Sequence, residues 1–227
     1  MGSIAQTRIV SITSGKNSGE LVADSAWTQG DGKTILDEET KYIFRRGDHA
    51  RIVDEIITLK ALDRAVFHDD KEGLLGLRVA GFLESPEERG GVYLDASGKP
   101  TQVAASTTSD ASGMYLTSEG IKGGAAWGKR GRWCSLSGRS GNHDVTIVIF
   151  DHPSNPGYPT YWHARGYGLF AANPLGKNIF DPKQKPFDYT LEKDQTAVFH
   201  YRVMILSRTS DANALNREAD AFATAYK

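Results

Sequence analysis

Phe199-His200-Tyr201-Arg202-Val203-Met204-Ile205 sets the fold class. Phe199, Tyr201, Val203 and Ile205 alternate with His200, Arg202 and Met204, and a period of two is what a strand produces when successive side chains point to opposite faces. The same period fills the first third of the chain. Residues 4–12 and 20–27 read as strands joined across the polar turn Ser14-Gly15-Lys16-Asn17. Gly30-Asp31-Gly32 then separates Trp27 from a third strand, residues 34–44, with Ile35 and Ile43 on one parity and Leu36, Tyr42 and Phe44 on the other. Residues 51–62 follow Gly47-Asp48, with Val53, Ile57 and Leu59 on one side. Alternation broken by short Gly/Asp turns is the pattern of an antiparallel meander. Residues 74–82, 125–134 and 144–150 add further strand candidates. Residues 84–110 are polar and rich in Gly, Ser and Thr; they read as a long excursion or hairpin, a feature that often lies near a site. The tail changes period. Leu215, Ala219, Phe222 and Tyr226 fall on one helical face after a cap at Ser210 or Asp211. The expectation is an all-β, antiparallel β-sandwich with a short C-terminal helix, in one domain over residues 1–227.

Composition narrows the function classes. Lys and Arg total 27 against 28 Asp and Glu, for a formal net charge of -1. That balance gives no electrostatic case for nucleic acid or an anionic membrane as partner. Cys134 is the single cysteine, which excludes an internal disulfide and a multi-cysteine metal site. The longest nearly apolar run, residues 145–150, is far short of the roughly 20 residues a spanning helix needs. Met1-Gly2-Ser3 shows no charged region followed by an apolar stretch, so no signal peptide is expected there, and the compartment stays open.

The chemistry concentrates in residues 151–176. Asp151-His152-Pro153-Ser154-Asn155-Pro156 leads to Tyr158-Pro159-Thr160-Tyr161-Trp162-His163-Ala164-Arg165 and then to Tyr167-Gly168-Leu169-Phe170-Ala171-Ala172-Asn173-Pro174. Prolines hold the segment extended or turned. Aromatic faces suit the C–H side of a pyranose, charged and amide groups suit its hydroxyls, and a histidine can move a proton at a ring or anomeric oxygen. His152, just before Pro153, is equally consistent with bonding its own turn. Two smaller clusters flank this one. Asp69-Asp70-Lys71-Glu72-Gly73 with Arg78 is either a solvated turn or a general base, Glu72, paired with Lys71. Thr117-Ser118-Glu119-Gly120 with Trp127-Gly128-Lys129-Arg130 offers an acid and a stacking ring, or simply Gly-marked turns. His152 and His163 match no compact ligand spacing, so no metal and no cofactor are expected. Triads, phosphate loops and dinucleotide fingerprints are absent as patterns.

These stretches resemble a bacterial family of uncharacterised proteins carried under the name methane oxygenase PmoA-like. The resemblance rests on Asp70-Lys71-Glu72-Gly73 with Arg78, Ser118-Glu119-Gly120, Trp127-Gly128-Lys129-Arg130, and residues 151–156, 161–165 and 167–174. It departs at Gly166, where relatives usually carry an acid. Relatives also usually carry an N-terminal portion with an Asp-His-Pro-His-His-like cluster, so the chain is expected to lack that portion and to present unpaired edge strands. Oxygenase activity is not expected, since membrane methane oxygenase subunits are strings of apolar helices. A fold-level resemblance to galactose-mutarotase-like supersandwich proteins implies sugar chemistry by histidine and glutamate, or polysaccharide binding without turnover.

The sequence therefore points to a carbohydrate-active protein working by acid/base isomerisation or cleavage. His163 would be acid or base, with Glu72 or Glu119 as its partner. Asp151, His152, Arg165, Lys71 and Arg78 would hold hydroxyls, and Trp162 and Trp127 would stack. The alternative is a non-catalytic carbohydrate-binding or structural module. The expected partner is a small-molecule or oligosaccharide ligand, with self-association left open.

Overall fold

The computed structural model describes residues 2–87, 90–94, 99–103 and 110–226. Its first four strands are the expected meander: β1 (Ser3–Ser14), β2 (Ser18–Thr28), β3 (Thr34–Gly47) and β4 (Ala50–Ala61). Short strands follow, β5 (Ala65–Phe67), β6 (Leu75–Arg78), β7 (Gly91–Leu94), β8 (Pro100–Val103) and β9 (Met114–Thr117). The hairpin β10 (Trp133–Ser140) and β11 (His143–Asp151) precedes β12 (Tyr161–Ala164), β13 (Leu169–Asn173) and β14 (Tyr189–Leu191). The long β15 (Thr196–Leu206) and the helix α1 (Ala212–Thr224) close the chain. Eight strands form one antiparallel sheet in the order β1-β2-β3-β4-β15-β11-β10-β9, and β12-β13-β6 form a second, with β14-β5 and β7-β8 as two-stranded pairs. The all-β sandwich with one C-terminal helix is the observed architecture.

Three local readings are corrected. The strand expected over residues 125–134 is replaced by a 3-10 turn at Gly123–Ala126, and the strand starts only at Trp133. Gly123 and Gly128 sit at φ +57° and +67°, a left-handed backbone that breaks a strand and that glycine adopts readily. The strand expected over residues 74–82 stops at Arg78 and turns through Gly81–Leu83. The proline-rich segment, by contrast, contains two true strands, β12 and β13. Of the polar excursion at residues 84–110, the described residues include the antiparallel strand pair β7–β8; residues 88–89, 95–98 and 104–109 lie outside the described residues.

The large sheet buries both faces unequally. One face packs against the three-stranded sheet through Leu36, Leu59, Ile149, Phe199 and Tyr201, meeting Trp162 and Phe170 from the other side. Burying side chains of this size contributes about 1.5–3 kcal/mol each, so this is the main core. The other face carries α1, whose Leu215, Ala219 and Phe222 pack on Trp133, Val148 and Met204. Asp211 caps the helix, accepting from the Ala214 amide at 2.9 Å. Beneath it, buried Asp54 accepts from Arg202 Nε and Nη2 at 2.6 and 2.8 Å, and also from Arg45 and from Tyr226 Oη. The first sheet overhangs its partner: every residue of β1 is exposed. The overhang leaves β1–β4 as the floor of an open cleft.

Candidate functional site

His163 lies on β12 with Trp162 and Ala164 on either side, and the strand period sends those two neighbours into the core. Tyr161 and His163 therefore face away from the large sheet. In the ladder His163 pairs with Ala171, which pairs with Gly76, so small neighbours make room for the imidazole. Three loops then close over it. The ring of Phe180 meets His163 edge-on at 5.8 Å, Trp127 packs on Phe180 at 5.4 Å, and the Arg165 guanidinium lies 4.6 Å from the Trp127 ring centre. His163 Nδ1 donates to the Lys71 carbonyl at 3.0 Å, and Arg165 Nε donates to His163 Nε2 at 3.2 Å. Burial, then the adjacent Arg165 charge, lowers the imidazole pKa to about 4. A neutral histidine with both ring nitrogens engaged and 2% exposure orders Lys71 and Arg165.

The other expected residues divide among five places. Lys71 and Glu72 join the His163 cluster, with Lys71 Nζ 3.1 Å from Glu72 Oε1, and Trp127 and Arg165 belong to it as described. Arg78 sits at the end of β6, donating to the Tyr167 carbonyl at 3.2 Å and lying over the Tyr167 ring. Trp162 is fully buried, which corrects its reading as a stacking platform: it is core. Asp151 and His152 form a separate structural knot. Asp151 accepts from Asn155 Nδ2 and the Thr160 amide at 2.7 and 2.8 Å, and burial raises its pKa to about 7 against those donors. His152 bonds Ser154 Oγ at 2.7 Å and the Ala225 carbonyl at 3.0 Å, with its ring edge-on to Phe222. It clasps α1 to the sheet, the turn-bonding alternative extended to the helix. Burial lowers its pKa. Glu119 is exposed and accepts from Ser118 Oγ at 3.1 Å; its charge bears on Tyr158 together with Arg132 and Asp220. Of the two expected partners, Glu72 is the one whose charge bears on His163.

Asp69 was not singled out, yet it organises the loops over His163. Its carboxylate accepts from the amides of Lys177, Asn178, Ile179 and Phe187 at 2.8–3.0 Å. Burial opposes its charge, but these donors prevail and hold the carboxyl below its usual range. Asn173 completes the lock, donating to the Asp70 carbonyl at 2.7 Å and accepting from the Leu175 and Gly176 amides.

The open chemistry lies in the cleft above β1–β4, a cavity of about 490 Å³. Its floor carries Trp27, Glu38 and Glu55, and its wall carries Phe67, His68 and Glu72. Register explains the convergence: Glu38 pairs with Leu59 and Tyr42 with Glu55, so both acids occupy positions on the apolar parity of their strands. Both Glu38 oxygens are held, one by Trp27 Nε1 and one by Thr40 Oγ1, each at 2.7 Å. Glu55 is partly buried, and burial raises its pKa; the hydrogen bond from Tyr42 opposes the shift and the nearby Glu38 charge adds to it. Tyr42 is pushed up to about 12 by burial and by Glu55. Two carboxyls in contrasting environments, beside indole and phenyl faces, form an arrangement able to donate and accept protons on a polyhydroxyl ligand. The readable signal was an acid on the core parity of a strand, at Glu38 beside Leu36 and Tyr42, and at Glu55 beside Val53 and Ile57. Among the described residues no group of three or more His, Cys, Asp and Glu side chains is arranged to hold a metal ion. No described helix is long and apolar enough to cross a membrane.

Similar solved structures include a galactose mutarotase related enzyme from Lactobacillus acidophilus, 11% identical, covering 90% of this chain and 72% of that one, with a TM-score of 0.36. An alpha-galactosidase from Lactobacillus brevis is 11% identical over 91% of this chain and 26% of that one, with a TM-score of 0.40. At such scores the likeness bears on neither mechanism nor ligand. No curated protein matches the chain. The methane oxygenase name that the sequence resemblance carries finds no support in these matches. A family match does span residues 1–220: the chain belongs to the Family of unknown function (DUF6807).

Proposed function

We propose that the chain binds a neutral sugar in the cleft above β1–β4 and acts on it by acid/base chemistry. Glu55 serves as the acid, Glu38 or Glu72 as the carboxylate partner, and Trp27 and Phe67 flank the ring. The observation that carries this reading is Glu55, a carboxyl with raised pKa in an open cleft opposite a second carboxylate. Perturbed groups of this kind gather at functional sites. His163 enters as a positioning residue: it fixes the Lys71 carbonyl and so the backbone that presents Glu72. Negatively charged sugars are disfavoured, because Glu38, Glu55, Glu72 and Asp70 all line the cavity.

Thermal unfolding against a panel of mono- and oligosaccharides tests the reading. A sugar at 100 times its Kd adds about 2.7 kcal/mol of stability, which for a domain of this size raises Tm by several degrees. The expected result is a shift confined to certain neutral sugars and reduced by Glu55→Gln and Glu38→Gln. The reading is overturned if no sugar shifts Tm, or if the shift is untouched by both substitutions.

A further inference from the structure

A second cavity opens from the same face of the large sheet, and its chemistry is the reverse of the first. It measures about 610 Å³ and lies between the sheets at the far side of β6, with Tyr42, Phe44, Val53, Leu77, Phe82 and Ile205 on its walls. Among the described residues, Glu55 and Arg78 are the charged ones that line it. The rings of Tyr42 and Phe44 stack at 6.3 Å, and Phe44 and Ile205 remain 43% and 44% exposed. Water-facing apolar surface of this kind marks an interaction site.

Glu55 lines both cavities. Tyr42 links them as well, since it lies opposite Glu55 in the β3–β4 ladder while its ring walls the apolar groove. A ligand whose polar head meets Glu55 in the acidic cleft therefore has an apolar slot directly beyond that carboxyl. The groove is concave and of small-molecule size, whereas contact between two copies needs broad surfaces of about 800 Å² per partner. Its apolar walls suit an alkyl or aryl group and leave further hydroxyls without partners.

Resting on the sugar-site reading above, we propose that this groove receives the apolar aglycone of a neutral glycoside whose sugar occupies the acidic cleft. The ligand class then extends from neutral sugars to amphipathic glycosides.

Calorimetric titration with n-alkyl glucosides and galactosides from methyl to hexyl, kept below their micelle concentrations, tests this. Affinity is expected to rise about two- to fourfold per added methylene, the gain that burial of each CH₂ gives. Ile205→Lys and Phe44→Ser should collapse the hexyl-to-methyl affinity ratio towards one, with unfolding curves checking that each variant is folded. Glu119→Ala, remote from both cavities, should leave the ratio intact. A flat series with measurable methyl-glycoside binding overturns the aglycone assignment and leaves the sugar-site reading standing. Absence of binding by every glycoside overturns both. A concentration-dependent dimer lost in Ile205→Lys would mean that a second copy fills the groove, which also overturns the proposal.

Discussion

Two polar clusters sit within reach of the Lys71-Glu72 turn, and they are built in opposite ways. Around His163 the ring and the loop over it are tied down: Nδ1 by the Lys71 carbonyl, Nε2 by Arg165, and the covering loop by Asp69 and Asn173, although the Trp127 indole N–H is buried without a partner among the described residues. In the cleft, Glu55 keeps an open cavity in front of it and a raised pKa behind it. Closed networks give rigidity and a defined arrangement; a carboxyl that faces a cavity and resists ionisation is placed for chemistry. Residue types alone favour the first cluster, because a histidine beside tryptophan and arginine looks like a site. Geometry favours the second.

The contrast can be broken at several points. The largest effect is expected for Glu55→Gln, which should lower turnover of a sugar identified by thermal shift about 10²–10⁴-fold, as loss of a general acid does. The same variant should be more stable at neutral pH. The folded pKa of Glu55 lies above its unfolded value, so its contribution is present at low pH and is lost as pH rises through the folded value. Steady-state kinetics and urea unfolding read the two halves. Trp162→Ala should destabilise the fold by about 3–5 kcal/mol, since the indole is fully buried; a variant of wild-type stability with lost sugar binding would restore the stacking role.

His163→Gln should act more gently, lowering stability by about 1–3 kcal/mol at pH 7 through the hydrogen bonds it disturbs. Sugar affinity should change less than tenfold. Its pH profile sharpens the point. The folded pKa of about 4 lies below the ordinary 6.5, so the stability His163 provides is present above pH 6.5 and is lost as pH falls towards 4, by on the order of 1–3 kcal/mol. The variant's stability should therefore fall less over that window, which urea unfolding at pH 7, 5.5 and 4 would reveal. The smallest effect is expected for Glu119→Ala, a surface change within about 0.5 kcal/mol and without consequence for binding.

Much of the fold was legible because β1–β4 and β15 carry clean alternation and glycine-marked turns. The strands of the second sheet were harder. Tyr161-Trp162-His163-Ala164 alternates too, but its buried face is Trp and Ala while its other face holds Tyr and His, closed over by loops, so neither side reads as solvent. Glycines at 123 and 128 broke an expected strand because a positive φ cannot be read from an apolar pattern. The cleft was the least legible part. Glu38 and Glu55 lie on separate strands, and only the β3–β4 register sets them on one face. Each looked like an ordinary polar position in an alternating strand, although its parity matched the core residues beside it. Asp151 and His152 misled for the opposite reason: functional residue types were used to clasp a turn and a helix.

The four tryptophans allow a direct measurement. Trp27 lines the cleft, Trp127 covers His163, Trp162 is core, and Trp133 bonds Asn216 beneath α1. Their indole N–H signals, assigned by single Trp→Phe substitutions in a ¹⁵N-labelled sample, would be followed during titration with the sugar that raises Tm. A sugar in the cleft should move the Trp27 signal, whose N–H is held by Glu38, while Trp162 and Trp133 stay fixed. Movement of Trp127 with Trp27 unchanged would contradict the account and return the site to His163.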